Sequence, residues 1–319
     1  KALKLYEEID NKLGMADCFS NMGGVYYYQS NNKKALEYHD KSLKINEEIS
    51  NNSGIAKNYN NMGLVYMSQS NYSMALEYYI KALKINEEIG IKSEIATNLT
   101  NIGIFYSGQS NYPKAIEYLS KALKYSKAMR DQNLNSVIFN GIGSVYSKQS
   151  NYPKALEYYK KALKISEELG DKNRIAAFLA NIGLVYSRQS DYPKALEYYN
   201  KSLMISEEIG NKSSIASTIA RVASVYWIKS DYPKALEHYN KALKIHEEID
   251  NKGGIAGTLH GIGLIYTKQT NYNKAYKFFN RALKIYEEID NNLQFANVLG
   301  SIGRHYKLQS EYERALDYY

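Results

Sequence analysis

The chain has 319 residues, 44% of them hydrophobic and 23% charged, with only four prolines, a composition that excludes an intrinsically disordered polymer. Lys and Arg exceed Asp and Glu by 41 − 33 = 8, a surplus compatible with nucleic acid, acidic lipid or an acidic protein partner, so its placement along the chain has to decide. The single cysteine, Cys18, excludes an internal disulfide framework or a multi-cysteine metal site and makes a reducing cytoplasm the simpler setting; no apolar run of about 18 residues is present to cross a bilayer.

Residues 1–10, KALKLYEEID, match the second half of a segment met again as KALKIHEEID at 241–250, and the last residues, ALDYY, break off a phrase that elsewhere runs ALEYYNKSL. The chain is therefore expected to be a piece of a longer array, with a partial second helix at 1–10 and a truncated one at its end. Between them the copies start near residues 11, 51, 91, 131, 171, 211, 251 and 291, and Gly23, Gly63, Gly103, Gly143, Gly183, Ala223, Gly263 and Gly303 recur every forty residues without insertion. One array over 1–319 follows. In the copy from 171, Ile175, Ala176, Leu179, Ile182, Gly183 and Tyr186 recur at steps of three and four, the spacing of an amphipathic helix (helix A). Ala195, Tyr199, Ser202 and Ile205 do the same in a second (helix B). Between them QS-D/N-Y-P supplies an Asn or Asp cap and, at Pro113, Pro153, Pro193 and Pro233, a proline in the first turn, where its missing N–H costs nothing. Ser42 and Ser202 stand where Ala82, Ala122, Ala162, Ala242 and Ala282 stand elsewhere, so that slot asks for a small side chain. Glycine in a helix costs about 1 kcal/mol against alanine, and its recurrence predicts close helix packing there.

The order of apolar residue, Gly, Tyr, Ala, aromatic and Ala (Ile142, Gly143, Tyr146, Ala155, Tyr159, Ala162) resembles the tetratricopeptide repeat over the whole chain. The usual period of that family is about 34 residues, and here each copy is lengthened by the segment KISEELGDKNR; such long copies resemble those of Pins-like spindle-orientation adaptors, kinesin light chains and bacterial peptide-responsive regulators. The resemblance implies an all-α, right-handed superhelical solenoid of about eight hairpins, helix A lining the concave face and helix B the convex one. It also implies a scaffold that binds a peptide or protein segment and serves as the sensing or docking part of a larger signalling protein in the cytoplasm. In such a stack the cut ends fray and offer surfaces for end-to-end self-association.

Helix B barely changes along the array, whereas one stripe of helix A, opposite its packed face, changes freely. In copies one to three the stripe carries Asn21, Asn60, Asn61, Leu64, Asn101 and Ile104. Copies four to eight offer Asn140, Lys148, Asn181, Leu184, Arg188, Arg221, Trp227, His260, Leu264, Lys268, Arg304 and Lys307, and the one acid on the stripe in any copy is Asp17. Amides can both donate to and accept from an extended peptide backbone, and arginine forks suit carboxylates, so an acidic segment is the expected guest. Read singly, each of these polar residues is as compatible with a solvated surface position, and Trp227 is as compatible with packing on the next copy as with binding. Single-stranded RNA is the alternative guest, since helical repeats can read one base each; uneven basic residues and few stacking platforms beyond Trp227 and Tyr27 argue against it.

At the joint of copies three and four KYSKAMRDQNLNS replaces the usual KISEELGDKNRIA, with Lys127 in place of glutamate and Asn135 and Ser136 in apolar and alanine slots, which predicts a weaker interface. No catalytic, metal or cofactor signature is present. His39, His238, His246, His260 and His305 lack ligand spacing, GIGSVY and GIGLIY lack a third glycine and a preceding strand, and glutamate pairs such as Glu167 and Glu168 recur copy after copy as solvated helix ends.

Overall fold

The computed structural model describes all 319 residues and contains helices only. After α1 (Ala2–Glu8) come the hairpins α2 (Lys12–Tyr28) with α3 (Asn32–Glu48), α4 (Asn52–Ser68) with α5 (Tyr72–Ile89), α6 (Lys92–Gly108) with α7 (Tyr112–Ala128), and α8 (Gln132–Lys148) with α9 (Tyr152–Glu168). The second series runs α10 (Lys172–Arg188) with α11 (Tyr192–Glu208), α12 (Lys212–Ile228) with α13 (Tyr232–Glu248), α14 (Lys252–Lys268) with α15 (Tyr272–Glu288), and α16 (Asn292–Leu308) with α17 (Tyr312–Asp317). They form two compact bodies, Lys1–Asp171 and Lys172–Tyr319.

At most helices the start is written into the sequence as an Asn or Asp cap, α1, α6 and α17 being without one. The side chain of Asn31 accepts from the Lys34 N–H at 3.2 Å, Asn151 does so from Lys154 at 3.3 Å and Asp191 from Lys194 at 3.2 Å, each satisfying an orphan donor of the first turn. One residue before these caps the chain turns left-handed, with Ser30, Ser70, Ser150 and Ser190 at φ 59°, 61°, 59° and 60°. In three of the turns from helix B to the next helix A, Gly90, Gly170 and Gly210 take that conformation, which glycine adopts without a steric penalty.

Within a hairpin the recurrent glycine seats the aromatic of helix B. A Cβ on Gly183 would lie 2.8 Å from the Tyr199 ring and 3.1 Å from the Ala195 carbonyl, and one on Gly63 would lie 2.6 Å from Tyr79; Tyr79 and Tyr199 are each 1% exposed. Copy six breaks the rule with Ala223, and there Tyr239 leans onto the next helix A, whose Gly261 has room for no Cβ against that ring, while the Tyr239 hydroxyl meets Ser224 at 2.9 Å. A second invariant is a stack on the hairpin edge. Tyr26 and Tyr38 lie parallel with ring centres 5.3 Å apart, Lys34 and Lys41 cover their outer faces at 5.0 and 4.8 Å, and Glu37 holds Lys41 at 2.6 Å. The same stack recurs as Tyr106–Tyr118, Tyr146–Tyr158 and Tyr186–Tyr198, which explains why letters on a half-exposed edge scarcely vary. Each cation–π contact of this kind contributes about 0.5–1 kcal/mol.

At three joints between hairpins a glycine makes room for the side chain opposite, whereas Asn86 and Tyr286 in the same slot face Glu94 and Gln294. Where the last turn of helix B carries Tyr6, Asn46 or His246, the facing position of the next helix A is Gly14, Gly54 or Gly254, with no space for a Cβ against that side chain; where it carries Ser126 or Ser206, the facing residue is Leu134 or Ser214. The two serines that replace alanine in helix B do more than stay small. Ser42 donates to the Ala16 carbonyl at 2.7 Å and accepts from Asn58 Nδ2 at 3.0 Å. Ser202 donates to the Ala176 carbonyl at 2.8 Å and lies 3.4 Å from the Thr218 hydroxyl. Each ties its own helix B to the helix A on either side. The joint expected to be weak is likewise bonded: Ser126 Oγ is 2.9 Å from Asn135 Oδ1 and 3.0 Å from the Asp131 carbonyl, and Ser136, fully buried, donates to the Asn133 carbonyl at 2.7 Å. Asn135 thus meets a hydrogen-bond partner across the joint in Ser126, while Ser136 is satisfied within its own helix.

Candidate functional site

In each body successive A helices approach one another, α2 with α4 and α6 with α8 in the first, α10 with α12, α12 with α14 and α14 with α16 in the second, while the B helices do not approach comparably. The variable stripe lies along these A helices, as hydrogen bonds at a register of 41 residues between Asn60 of α4 and Asn101 of α6, Ser107 and Lys148, and His260 and Ser301 make plain.

In the N-terminal body much of the stripe is spent on the fold. Asn60 Oδ1 accepts from Asn98 Nδ2 at 3.0 Å and from Asn101 Nδ2 at 2.8 Å, and Asn98 Oδ1 accepts from Asn86 Nδ2 at 2.6 Å. The result is a ladder of amides across two hairpins, with Asn86 and Asn98 buried. Asn98 was not among the residues expected to matter, because it occupies a slot that reads as core. Lys148 donates to the Ser107 carbonyl at 3.1 Å, closing the end of α6 rather than standing free, and Asn140 is also engaged within the fold. Beside the ladder Asn61 and Leu64 are half-buried and Ile104 is exposed, in company with Tyr28, the most open of the large apolar side chains at 80% exposure.

The C-terminal body presents a different surface. Arg188, Lys268, Arg304 and Lys307 are exposed and Arg221 and Leu184 half-buried, and from 172 onward the stripe carries no carboxylate. Burial pushes the Tyr199 hydroxyl pKa up, while the Arg221 guanidinium and then Arg188 pull it back; Asn181 and Arg188 are engaged within the fold as well. His260 is held between α14 and α16 by Ser301 at 2.9 Å and stands edge-on to Phe279, ring centres 5.8 Å apart, and burial lowers its pKa. Leu264 packs against the core around Phe279. Trp227 packs against Ala223, Ala235, Tyr239, Ile262 and Ile265 with its indole N–H buried and unbonded, so packing, not an open stacking face, is its place.

Between α12 and α14 a cleft of ≈ 380 Å³ opens. Ser217, Ala220, Arg221 and Ser224 form one wall, Tyr239 and His246 the floor, and Asn251, Gly254, Gly257 and Thr258 the other wall. It exists because copy seven places glycine where other copies place Lys57 or Asn297 and copy six places Ala220 where others place Asn60 or Asn140. Gly257 is not forced by packing, since an added Cβ would meet only the Tyr286 hydroxyl at an ordinary 3.4 Å. His246, 3% exposed, has its Nδ1 without a partner, and burial keeps it neutral by lowering its pKa. One cation, several hydroxyls and no acid make the cleft suited to an anionic or hydrogen-bonding group. Reading the sequence for charge found Arg221 but missed Ser217, Ser224 and Gly257; the signal was the run of small residues at stripe positions. No group of three potential metal ligands comes together, and no helix is long and apolar enough to cross a membrane.

Among solved structures, a Rap protein complexed with competence and sporulation factor aligns at a TM-score of 0.68 and 17% identity, over 98% of this chain and 96% of that one. The Rap conjugation gene regulator of plasmid pLS20, in complex with the Phr* peptide, aligns at 0.69 and 16% identity over 92% and 79%. A signal transduction ATPase with numerous domains from Pyrococcus horikoshii, which has a tetratricopeptide repeat sensor, aligns at 0.61 and 16% identity over 99% and 50%. At these identities the likeness is one of fold. No curated protein matches the sequence. Two family models for the tetratricopeptide repeat match, one at 15–53 and the other at 54–128, 135–208, 214–288 and 254–319, and with nearly the whole length matched and the helical hairpins in place the chain belongs to the tetratricopeptide-repeat family.

Proposed function

We propose that this scaffold binds a peptide or protein segment rich in carboxylates along the A-helix stripe of its C-terminal body, and that it is the docking part of a larger cytoplasmic signalling protein. The observation that carries the reading is the stripe from 172 onward, whose positions hold Arg221, Lys268, Arg304 and Lys307 and no Asp or Glu, and a cleft walled by Arg221 that opens between α12 and α14. Charge-assisted bonds from arginine to carboxylate are roughly twice as strong as neutral ones, and arginine binds both oxygens at once. The Rap regulator in complex with the Phr* peptide, the Rap protein complexed with competence and sporulation factor and the repeat sensor from Pyrococcus horikoshii are similar in fold and make a peptide guest and a sensing role natural, but the acidic preference is read from this chain's own residues. The scaffold itself is assigned no catalysis. Single-stranded RNA fits less well, because Trp227, its best stacking platform, packs into the core.

The test is fluorescence anisotropy with a labelled hexaglutamate peptide at low salt. Arg221→Glu with Arg304→Glu should weaken binding along this stripe at least about 100-fold, the scale of reversing charges in an interface, with helicity by circular dichroism unchanged. Carbodiimide coupling of the peptide to Lys268 and Lys307 that survives the double change would refute the reading.

A further inference from the structure

In most hairpins the end where helix B stops and helix A starts is balanced by glutamate. Lys12 pairs with Glu48 at 2.6 Å and Lys212 with Glu248 at 3.0 Å across the hairpin, Lys252 pairs with Glu288 in the same way, and along helix B Lys84 reaches Glu88 at 4.0 Å and Lys164 reaches Glu168 at 3.9 Å. In the hairpin of α6 and α7 the shared glutamate is Ala128, so the two lysines that would border it, Lys92 and Lys124, have no ion pair. The neighbouring glutamate position, Glu87 and Glu167 in the adjoining copies, is Lys127, and Arg130 follows. This one corner thus carries four cations and no acid at positions where the hairpins on either side (Asn52, Lys84, Glu87, Glu88, Gly90 and Gln132, Lys164, Glu167, Glu168, Gly170) carry one cation and two acids. All four are exposed. Arg130 is held left-handed at φ 56°, the conformation given to Gly90 and Gly170 in the adjoining copies, so a long charged residue is kept where the backbone favours glycine. Two acids lie nearby, Asp131, whose carboxylate caps α8 by accepting from the Leu134 N–H at 2.9 Å, and Glu94 in the first turn of α6; four cations against these two leave the corner a surplus of 4 − 2 = 2 positive charges.

We propose that this corner is a second docking surface, independent of the A-helix stripe, for a short acidic segment of a partner protein. Three of its cations are lysines, which act as point charges and match clustered carboxylates without demanding the paired geometry of an arginine fork. Its flanks are acidic, so the attractive surface is about one hairpin wide, roughly 20 Å for two packed helices of about 10 Å each. A nucleic-acid track or a membrane face needs basic charge continued past that width; a few carboxylates do not.

Zero-length carbodiimide coupling of hexaglutamate to the full chain, followed by peptide mass mapping, reads which lysines touch the probe. Lys92, Lys124 and Lys127 should couple at least tenfold more than Lys44, Lys164 and Lys244, which occupy the same helical position as Lys124 in other copies. Lys127→Glu with Arg130→Gly, which restores the residues of the adjoining copies, should bring coupling at Lys92 and Lys124 down to that background without lowering the melting temperature. Arg221→Glu with Arg304→Glu should leave the corner unaffected while removing coupling at Lys268 and Lys307, so the two surfaces fail separately. Equal coupling at all B-helix lysines would overturn the proposal. So would stronger protection of the corner by a twelve-residue oligothymidylate or by vesicles with phosphatidylserine than by hexaglutamate. The map of the unaltered chain decides even if the variant does not fold.

Discussion

The two bodies use one backbone for opposite purposes on the same stripe. In Lys1–Asp171 several of the stripe's amides are turned on one another, Asn60 accepting from both Asn98 and Asn101, and what remains open mixes Asp17, Asn21 and Lys57 with Tyr28 and Ile104. In Lys172–Tyr319 the stripe carries cations, and one of them, Arg221, walls a cleft floored by Tyr239 and by His246, whose buried Nδ1 has no hydrogen-bond partner. In a stack whose copies contact mainly their neighbours, one surface can change without redesigning the rest. The lesson is that a polar letter on a variable stripe means cohesion in one body and an open surface in the other, and only the partners across the seam tell which.

Acid should break this comparison hardest. Burial holds the His39 pKa down to about 4 from 6.5, and in the C-terminal body burial also lowers His238, His246, His260 and His305, with Lys241 adding to the effect at His238 and Glu311 opposing it at His305. A histidine kept neutral when folded costs nothing above pH 6.5. As pH falls below that, the unfolded chain takes up the proton first and stability drops, levelling off once pH passes below the folded value. For His39 the full loss is about 3 kcal/mol. With four of the five histidines in the C-terminal body, amide hydrogen exchange at pH 4.5 should open that body before the N-terminal one, and His39→Gln should flatten the pH dependence of the N-terminal body alone. Simultaneous loss of protection in both would contradict it.

The amide ladder offers a narrower test. Asn98→Ala leaves the buried Asn86 amide without its acceptor and Asn60 with one donor fewer, and should cost about 1–3 kcal/mol in urea unfolding while leaving hexaglutamate affinity unchanged. Arg221→Ala should do the reverse, lowering affinity with stability within about 0.5 kcal/mol, as for a surface substitution. A ladder variant that loses affinity would move the N-terminal stripe back among the binding residues.

Helix boundaries, caps and the close packing at the recurrent glycine were legible in the sequence because they repeat every forty residues, and repetition separates what packing requires from what drifts; that an aromatic ring of helix B sits on that glycine was not. The stripe was legible as variable but not in meaning, because Asn60 and Asn61 read alike until Asn98 is placed beside one of them. Ser42 and Ser202 read as merely small; their bonds to Ala16 and Ala176 run to a helix more than twenty residues earlier, which no local pattern displays. The cleft was invisible for the opposite reason, being defined by side chains that are absent.

That last point yields a pair of substitutions with opposite signs. Gly63→Ala would drive a Cβ to within 2.6 Å of the Tyr79 ring, which is 1% exposed and cannot retreat. Overpacking costs about 1–3 kcal/mol, against roughly 1 kcal/mol gained in helix propensity, so the net change should be destabilising by about 1 kcal/mol. Alanine at the equivalent place in copy six is no counterexample, because there Tyr239 shifts toward Gly261, a relief Tyr79 lacks with Asn101 in the corresponding slot. Gly257→Ala meets only the Tyr286 hydroxyl at contact distance and should stabilise by about 0.5–1 kcal/mol, the propensity gain undiluted. If thermal unfolding shows both to be destabilising, Gly257 is held by packing after all and the cleft is an incidental gap; if the signs differ as expected, the glycine is retained against stability, and the space it leaves is what the C-terminal body keeps open.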